Sequence, residues 1–144
     1  SVQELAYADT MNVFNMVRKD FNIDENRIFL TGHSMGGAGA YFYAAKHPEI
    51  WAAVAPIAGG AINDRYAPGE KVKNLRFLVM QGEKDLIVRA ESSRASVAKM
   101  KELGIKHTYI EVPGADHEVW IRHNPANVAR LFEFFNGLSK ETKQ

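Results

Sequence analysis

The sequence predicts a three-layer αβα fold, a single domain over residues 1–144 built on a mostly parallel sheet of about four strands. Two observations carry this prediction. Amphipathic stretches alternate with short apolar runs along the whole chain, and several of those runs are continuously apolar, as strands covered by helices on both faces must be. Composition agrees: 144 residues, 46% hydrophobic and 24% charged, can bury roughly two-thirds of the unfolded surface without a disulfide or metal staple. No internal repeat, low-complexity tract or linker divides the chain.

The first element is a helix to about Asp20, opened by a capping box at Ser1-Val2-Gln3-Glu4, with Val2, Ala6, Val13 and Val17 near one face. A turn over residues 22–26 follows. Ile28, Phe29 and Leu30 then read as a buried strand, and a helix from Ser34 to Lys46 ends at His47-Pro48. Residues 51–57 form the next strand, closed by Gly59-Gly60, and residues 61–74 read mostly as loop. Leu75 to Gln81 is a third buried strand, and residues 90–103 are the helix that crosses back, stopped by Gly104. In residues 107–112, Thr108, Ile110 and Val112 alternate with His107, Tyr109 and Glu111, the pattern of a half-exposed strand near a sheet edge. Asn124-Pro125 opens a last helix with Val128, Leu131, Phe132, Phe135 and Leu138 inward.

Charge and composition exclude several partners. A net charge of +1 with no Lys/Arg block leaves no electrostatic footprint for nucleic acid or an anionic membrane. No apolar run approaches the roughly 18 residues needed to span a bilayer. With no cysteine there is neither a disulfide nor a thiolate site, a composition that suits the cytoplasm and secretion alike.

Gly32-His33-Ser34-Met35-Gly36 is a G-x-S-x-G placed between a predicted strand and a predicted helix. A serine in so tight a turn is held in strained geometry, and the small neighbours Gly32, Gly36 and Gly37 give it room. The helix beginning there directs its free N–H groups at the serine, so the Met35 backbone N–H can donate to a developing oxyanion. Serine needs a histidine to take its proton and an acid to orient that histidine. Asp85, in the loop after the third strand, and His117, in the loop after the last, supply both types at the carboxyl ends of parallel strands.

Each residue also has an ordinary reading. Ser34 could simply cap a helix, Asp85 could be a turn residue with Glu83 the rival acid, and His33, His47, His107 and His123 compete with His117. His33 reads as packing at the turn, because adjacent side chains on a strand diverge. Asp116, His117, Glu118 and Glu83 make a poor metal set, since consecutive residues rarely chelate one ion. Trp51 and Trp120 are core or pocket aromatics, Trp120 the better placed for a pocket, and the loop from Gly59-Gly60 is a second candidate pocket wall.

The chain order Ser, Asp, His, with the strand–serine–helix turn, resembles the α/β-hydrolase family, and more narrowly its bacterial esterases and predicted peptidases near the feruloyl-esterase and dienelactone-hydrolase relatives. Residues 27–60, 81–88 and 114–120 carry the resemblance. It implies carboxylic-ester hydrolysis, of short-chain or aryl esters, through an acyl-enzyme. Ser34 attacks, His117 shuttles the proton, Asp85 orients His117 and the Met35 N–H holds the oxyanion, with no cofactor or metal. Small-peptide hydrolysis is the alternative within the same chemistry. The family also places several strands and a second oxyanion donor before the serine, whereas 33 residues precede Ser34 here, with no HGGG-like stretch. The resemblance thus implies the C-terminal part of a hydrolase, with an open edge on the strand at residues 28–31 available to an N-terminal partner chain or a second copy. The rival expectation is a partial chain that is inactive until such a partner is supplied.

Overall fold

Alternation along the strands decides which helix covers which face. In the computed structural model of the chain, which describes residues 2–63, 67–118 and 125–141, the elements run α1 (Val2–Asp20), β1 (Phe29–His33), α2 (Met35–Lys46), β2 (Ala53–Ile57), α3 (Gly69–Val72), β3 (Phe77–Gly82), α4 (Ala90–Glu102), β4 (His107–Val112) and α5 (Pro125–Phe135). The sheet order is β1-β2-β3-β4 and every pairing is parallel, with Phe29 opposite Ala53, Val54 opposite Phe77 and Phe77 opposite His107. When successive strands are laid down in one direction by right-handed crossovers, the connecting helices all fall on one face.

That face is built from Val54, Phe77 and Val79, packed with Tyr41, Ala44 and Ala45 of α2 and Met100 of α4. The intervening residues Ala53, Ala55, Ile57, Leu78 and Met80 point the other way, against Leu131 and Phe135 of α5. Phe29 stacks on Phe135 at 4.6 Å between ring centroids, which ties β1 to the same helix. Each large apolar side chain fully buried in these layers contributes roughly 1.5–3 kcal/mol, so the three-layer arrangement is the one that removes both strand faces from water.

Three local expectations differ from the structure. On α1, Val13 and Val17 are exposed, and the half-buried stripe is Tyr7, Met11 and Phe14. Aromatic contacts set that rotation, with Tyr7 stacking on Tyr43 and His47 while Phe14 meets Trp51. The capping-box residue Ser1 lies outside the described residues. On α5, Phe132 is exposed; Asn127, Leu131 and Phe135 are buried, because their spacing of four gives one stripe and Phe132 sits about 100° round the helix from Leu131. Within residues 61–74, read as loop, α3 forms behind Pro68 and buries Val72, with Leu75 beneath the following turn.

Candidate active site

The chain leaves β1 at His33 and enters α2 at Met35, so Ser34 alone must make the turn. It does so at φ 58°, ψ −119°. A positive φ is costly for a residue with a Cβ, about 1–3 kcal/mol, and persists only where the surroundings enforce it. Here the Ser34 N–H donates to the Ile57 carbonyl at 2.9 Å, and the Ala38 N–H donates to the Ser34 carbonyl at 3.0 Å. Close backbone approaches complete the constraint. A Cβ on Gly32 would lie 2.2 Å from the Gly36 carbonyl oxygen, and one on Gly37 would lie 2.7 Å from the Gly59 Cα. A Cβ on Gly36 would meet nothing within 4 Å, so Gly36 gives room by its backbone position and not by lacking a side chain. Gly32→Ala is therefore expected to lower stability by about 1–3 kcal/mol in denaturant titration, and Gly36→Ala to leave the turn intact.

Asp85 follows β3 and is buried, its side chain wholly so. Its Oδ1 accepts the Ile87 and Val88 amides, both at 2.9 Å. Its Oδ2 accepts His117 Nδ1 at 2.8 Å and Gln81 Nε2 at 2.9 Å. Burial works against the charged carboxylate, but the bond from His117 and those from the Val88 and Ile87 amides outweigh it and hold the carboxyl below its ordinary range.

His117 arrives on the loop after β4, which several contacts fix. Gly82 lets that loop pass close over the end of β3, since a Cβ there would lie 2.2 Å from the Asp116 carbonyl oxygen. The Lys84 N–H donates to the Ala115 carbonyl at 2.8 Å, and the Gly114 N–H donates to Glu83 Oε2 at 2.7 Å. Glu83, the rival acid, thus holds the loop and not the imidazole. With Nδ1–H given to Asp85, Nε2 is free to accept from Ser34 Oγ, 2.8 Å away. The structure therefore brings Ser34, His117 and Asp85 into one hydrogen-bonded line.

The remaining candidates separate. His33 donates from Nε2 to the His117 carbonyl at 2.6 Å, and its ring lies 4.7 Å from the His117 ring, so it supports the histidine loop as well as packing at the turn. His47 meets Tyr7, and His107 donates to the Ile105 carbonyl. Asp116 accepts the Glu118 amide. Among the described residues no group of three or more His, Asp or Glu is placed to hold a metal ion. Met35 is the first residue of α2, where an N–H has no acceptor within its own helix, and its side chain is 87% exposed. Gly59 lines a cleft of about 510 Å³ beside the turn, together with Met35, Phe42, Tyr7 and Asn63, while Gly60 turns the chain at φ 82°. Trp51 is core, donating to the Tyr43 carbonyl. Trp120 and His123 lie outside the described residues. Gln81 and Ser93 also join this network, and the signal for them in the sequence is a glutamine near the end of an otherwise apolar strand.

A thermostable esterase of known structure is 31% identical and superimposes with a TM-score of 0.81, over 93% of this chain and 37% of its own. Arabidopsis thaliana SOBER1 is 20% identical (TM-score 0.70, 94% of this chain and 63% of its own), and S-formylglutathione hydrolase FrmB from Staphylococcus aureus is 16% identical (TM-score 0.70, 90% and 59%). At such identities the last two show a shared fold alone. The chain spans less than two-thirds of the length of each of the three. A search of curated protein sequences finds no significant match. A family model described as PET hydrolase-like matches residues 2–134, and the chain belongs to that PET hydrolase-like family, with the α/β-hydrolase fold.

Proposed function

We propose that this chain hydrolyses carboxylic esters through an acyl-enzyme on Ser34. The observation that carries the reading is the line of two 2.8 Å hydrogen bonds, Ser34 Oγ to His117 Nε2 and His117 Nδ1 to Asp85 Oδ2, ending on a serine held at positive φ. As Oγ attacks the ester carbonyl carbon, its proton passes to His117 Nε2 and the carbonyl oxygen takes up negative charge toward the Met35 N–H. Collapse breaks the bond to the alcohol oxygen, which leaves with the proton from Nε2. Water then attacks the acyl-serine, again giving a proton to His117, and the acid departs as Ser34 Oγ recovers it. Asp85 keeps Nδ1–H in place and stabilises the imidazolium in both halves.

Short-chain or aryl esters are the substrates we favour. Met35, next to Ser34 in the chain, and Leu86 and Ile87, which follow Asp85, are strongly exposed apolar side chains, and Met35 lines the cleft beside the turn. The family description names PET, a polyester of an aromatic acid. The test is covalent labelling by a fluorophosphonate, located by mass spectrometry, alongside turnover of p-nitrophenyl acetate. Rapid labelling confined to Ser34, with turnover, is expected; a folded chain that neither labels nor turns over would overturn the reading.

We also propose that the free edge of β1 is paired by a strand from an N-terminal partner chain. Among the described residues β1 is bonded on one side only, to β2, and exposed Phe132 sits in a groove with Phe29 and Arg27 along the same flank. Unpaired edges of this kind invite strand addition. Light scattering of the chain with a supplied N-terminal segment is expected to show a 1:1 complex with raised turnover. A fully active monomer indifferent to the segment, or a homodimer, would overturn the proposal.

A further inference from the structure

Gln81 is a polar residue at the end of β3, a strand otherwise of apolar side chains, and it is fully buried. Alternation puts it on the same face as Phe77 and Val79, toward α4, where an apolar side chain would serve packing better. Its amide is saturated instead. Nε2 donates to Asp85 Oδ2 at 2.9 Å and to the Val88 carbonyl at 2.9 Å, and Oε1 accepts the buried Ser93 hydroxyl at 2.7 Å. The Asp85 carboxylate and the Val88 carbonyl, which can only accept, fix which way the amide faces, because a flipped amide would set its own carbonyl against both; the Ser93 hydroxyl then anchors the amide by donating to Oε1.

We propose that Gln81, anchored by Ser93, is a positioning residue for Asp85 and sets the strength with which Asp85 holds His117. The proposal rests on the triad reading above. Two contacts give it this reach. Gln81 shares Oδ2 with His117, so its donation draws electron density from the very oxygen that stabilises the imidazolium. It also ties down Val88, whose amide binds the other carboxylate oxygen, so the plane of the carboxylate is fixed from both sides. Without Gln81, Oδ2 becomes a stronger base toward His117 and a less well aimed one. The imidazolium is then stabilised more in the resting enzyme, and the proton transfer is less well aligned.

The variant Gln81→Met keeps the length and removes the donor. We expect His117, followed by NMR titration, to protonate about 0.5–1 pH unit higher than in the unchanged protein. The acid limb of kcat/KM for p-nitrophenyl acetate should move the same way, with kcat reduced about tenfold and KM unchanged. Ser93→Ala, which keeps the glutamine but frees its amide, should move both in the same direction by less, and it serves as the test if Gln81→Met does not fold. The groups facing His117 besides Asp85 and Ser34 include His33, whose ring must be assigned separately, while Glu83 and Asp116 are engaged with the Gly114 and Glu118 amides. A loss of thermal stability with the His117 titration and acid limb unmoved would overturn the proposal and leave Gln81 a core residue. The titration reads this result in the resting protein even if ester turnover fails, so the two readings fall separately.

Discussion

Ser34→Ala is expected to abolish fluorophosphonate labelling and to lower ester turnover by about 10⁶-fold, leaving the residual catalysis that a serine site retains from binding and oxyanion donation. The magnitude follows from the line of bonds at the site. Ser34 Oγ is the atom within 2.8 Å of His117 Nε2, and with it gone the imidazole has no hydroxyl to deprotonate. Stability should change little, because alanine must adopt the same φ of 58° in the same turn and the Ile57 and Ala38 hydrogen bonds that enforce it are made by the backbone. The check is kcat/KM beside a denaturant titration of the same preparation. Turnover near the unchanged level in the alanine variant would move the chemistry to another group.

What could be read in advance divides along a physical line. The apolar runs showed the strands because a parallel strand buried on both faces needs no alternation, and Phe77 to Met80 are all within the core. The turn at Ser34 was legible because few residue patterns let a strand pass into a helix across one residue, and glycines at the approaches to Gly36 and Gly59 mark where backbones nearly touch. The rotation of α1 was not legible. Its inward stripe depends on Tyr7 meeting Tyr43 and His47, contacts between residues about forty positions apart that no local periodicity encodes. The same limit hid the support around the site. His33 holds the His117 carbonyl and Ser93 anchors the Gln81 amide, and both links join separate loops and elements whose proximity exists only once the sheet has formed.

Asp85→Asn should cost about 10⁴-fold in kcat, and Glu83→Gln very little. An asparagine can turn its oxygen toward His117 only by turning an N–H toward the Ile87 and Val88 amides, which are donors already, and the opposite orientation presents an N–H to His117 Nδ1. The imidazole then adopts the tautomer with the proton on Nε2 and cannot accept from Ser34. Glu83→Gln keeps an oxygen for the Gly114 amide, so the loop that carries His117 stays in place. The pH dependence of stability has a definite sign. Because the folded carboxyl of Asp85 lies below its ordinary value of 3.8, its ionised form stabilises the fold fully above that pH and the contribution is lost as pH falls through the lower folded value. Melting curves of the unchanged protein and Asp85→Asn should therefore lie farthest apart near neutrality and converge in acid. If Glu83→Gln proved the more damaging to kcat, the acid of this site would be Glu83, and the 2.8 Å bond between Asp85 and His117 would be structural.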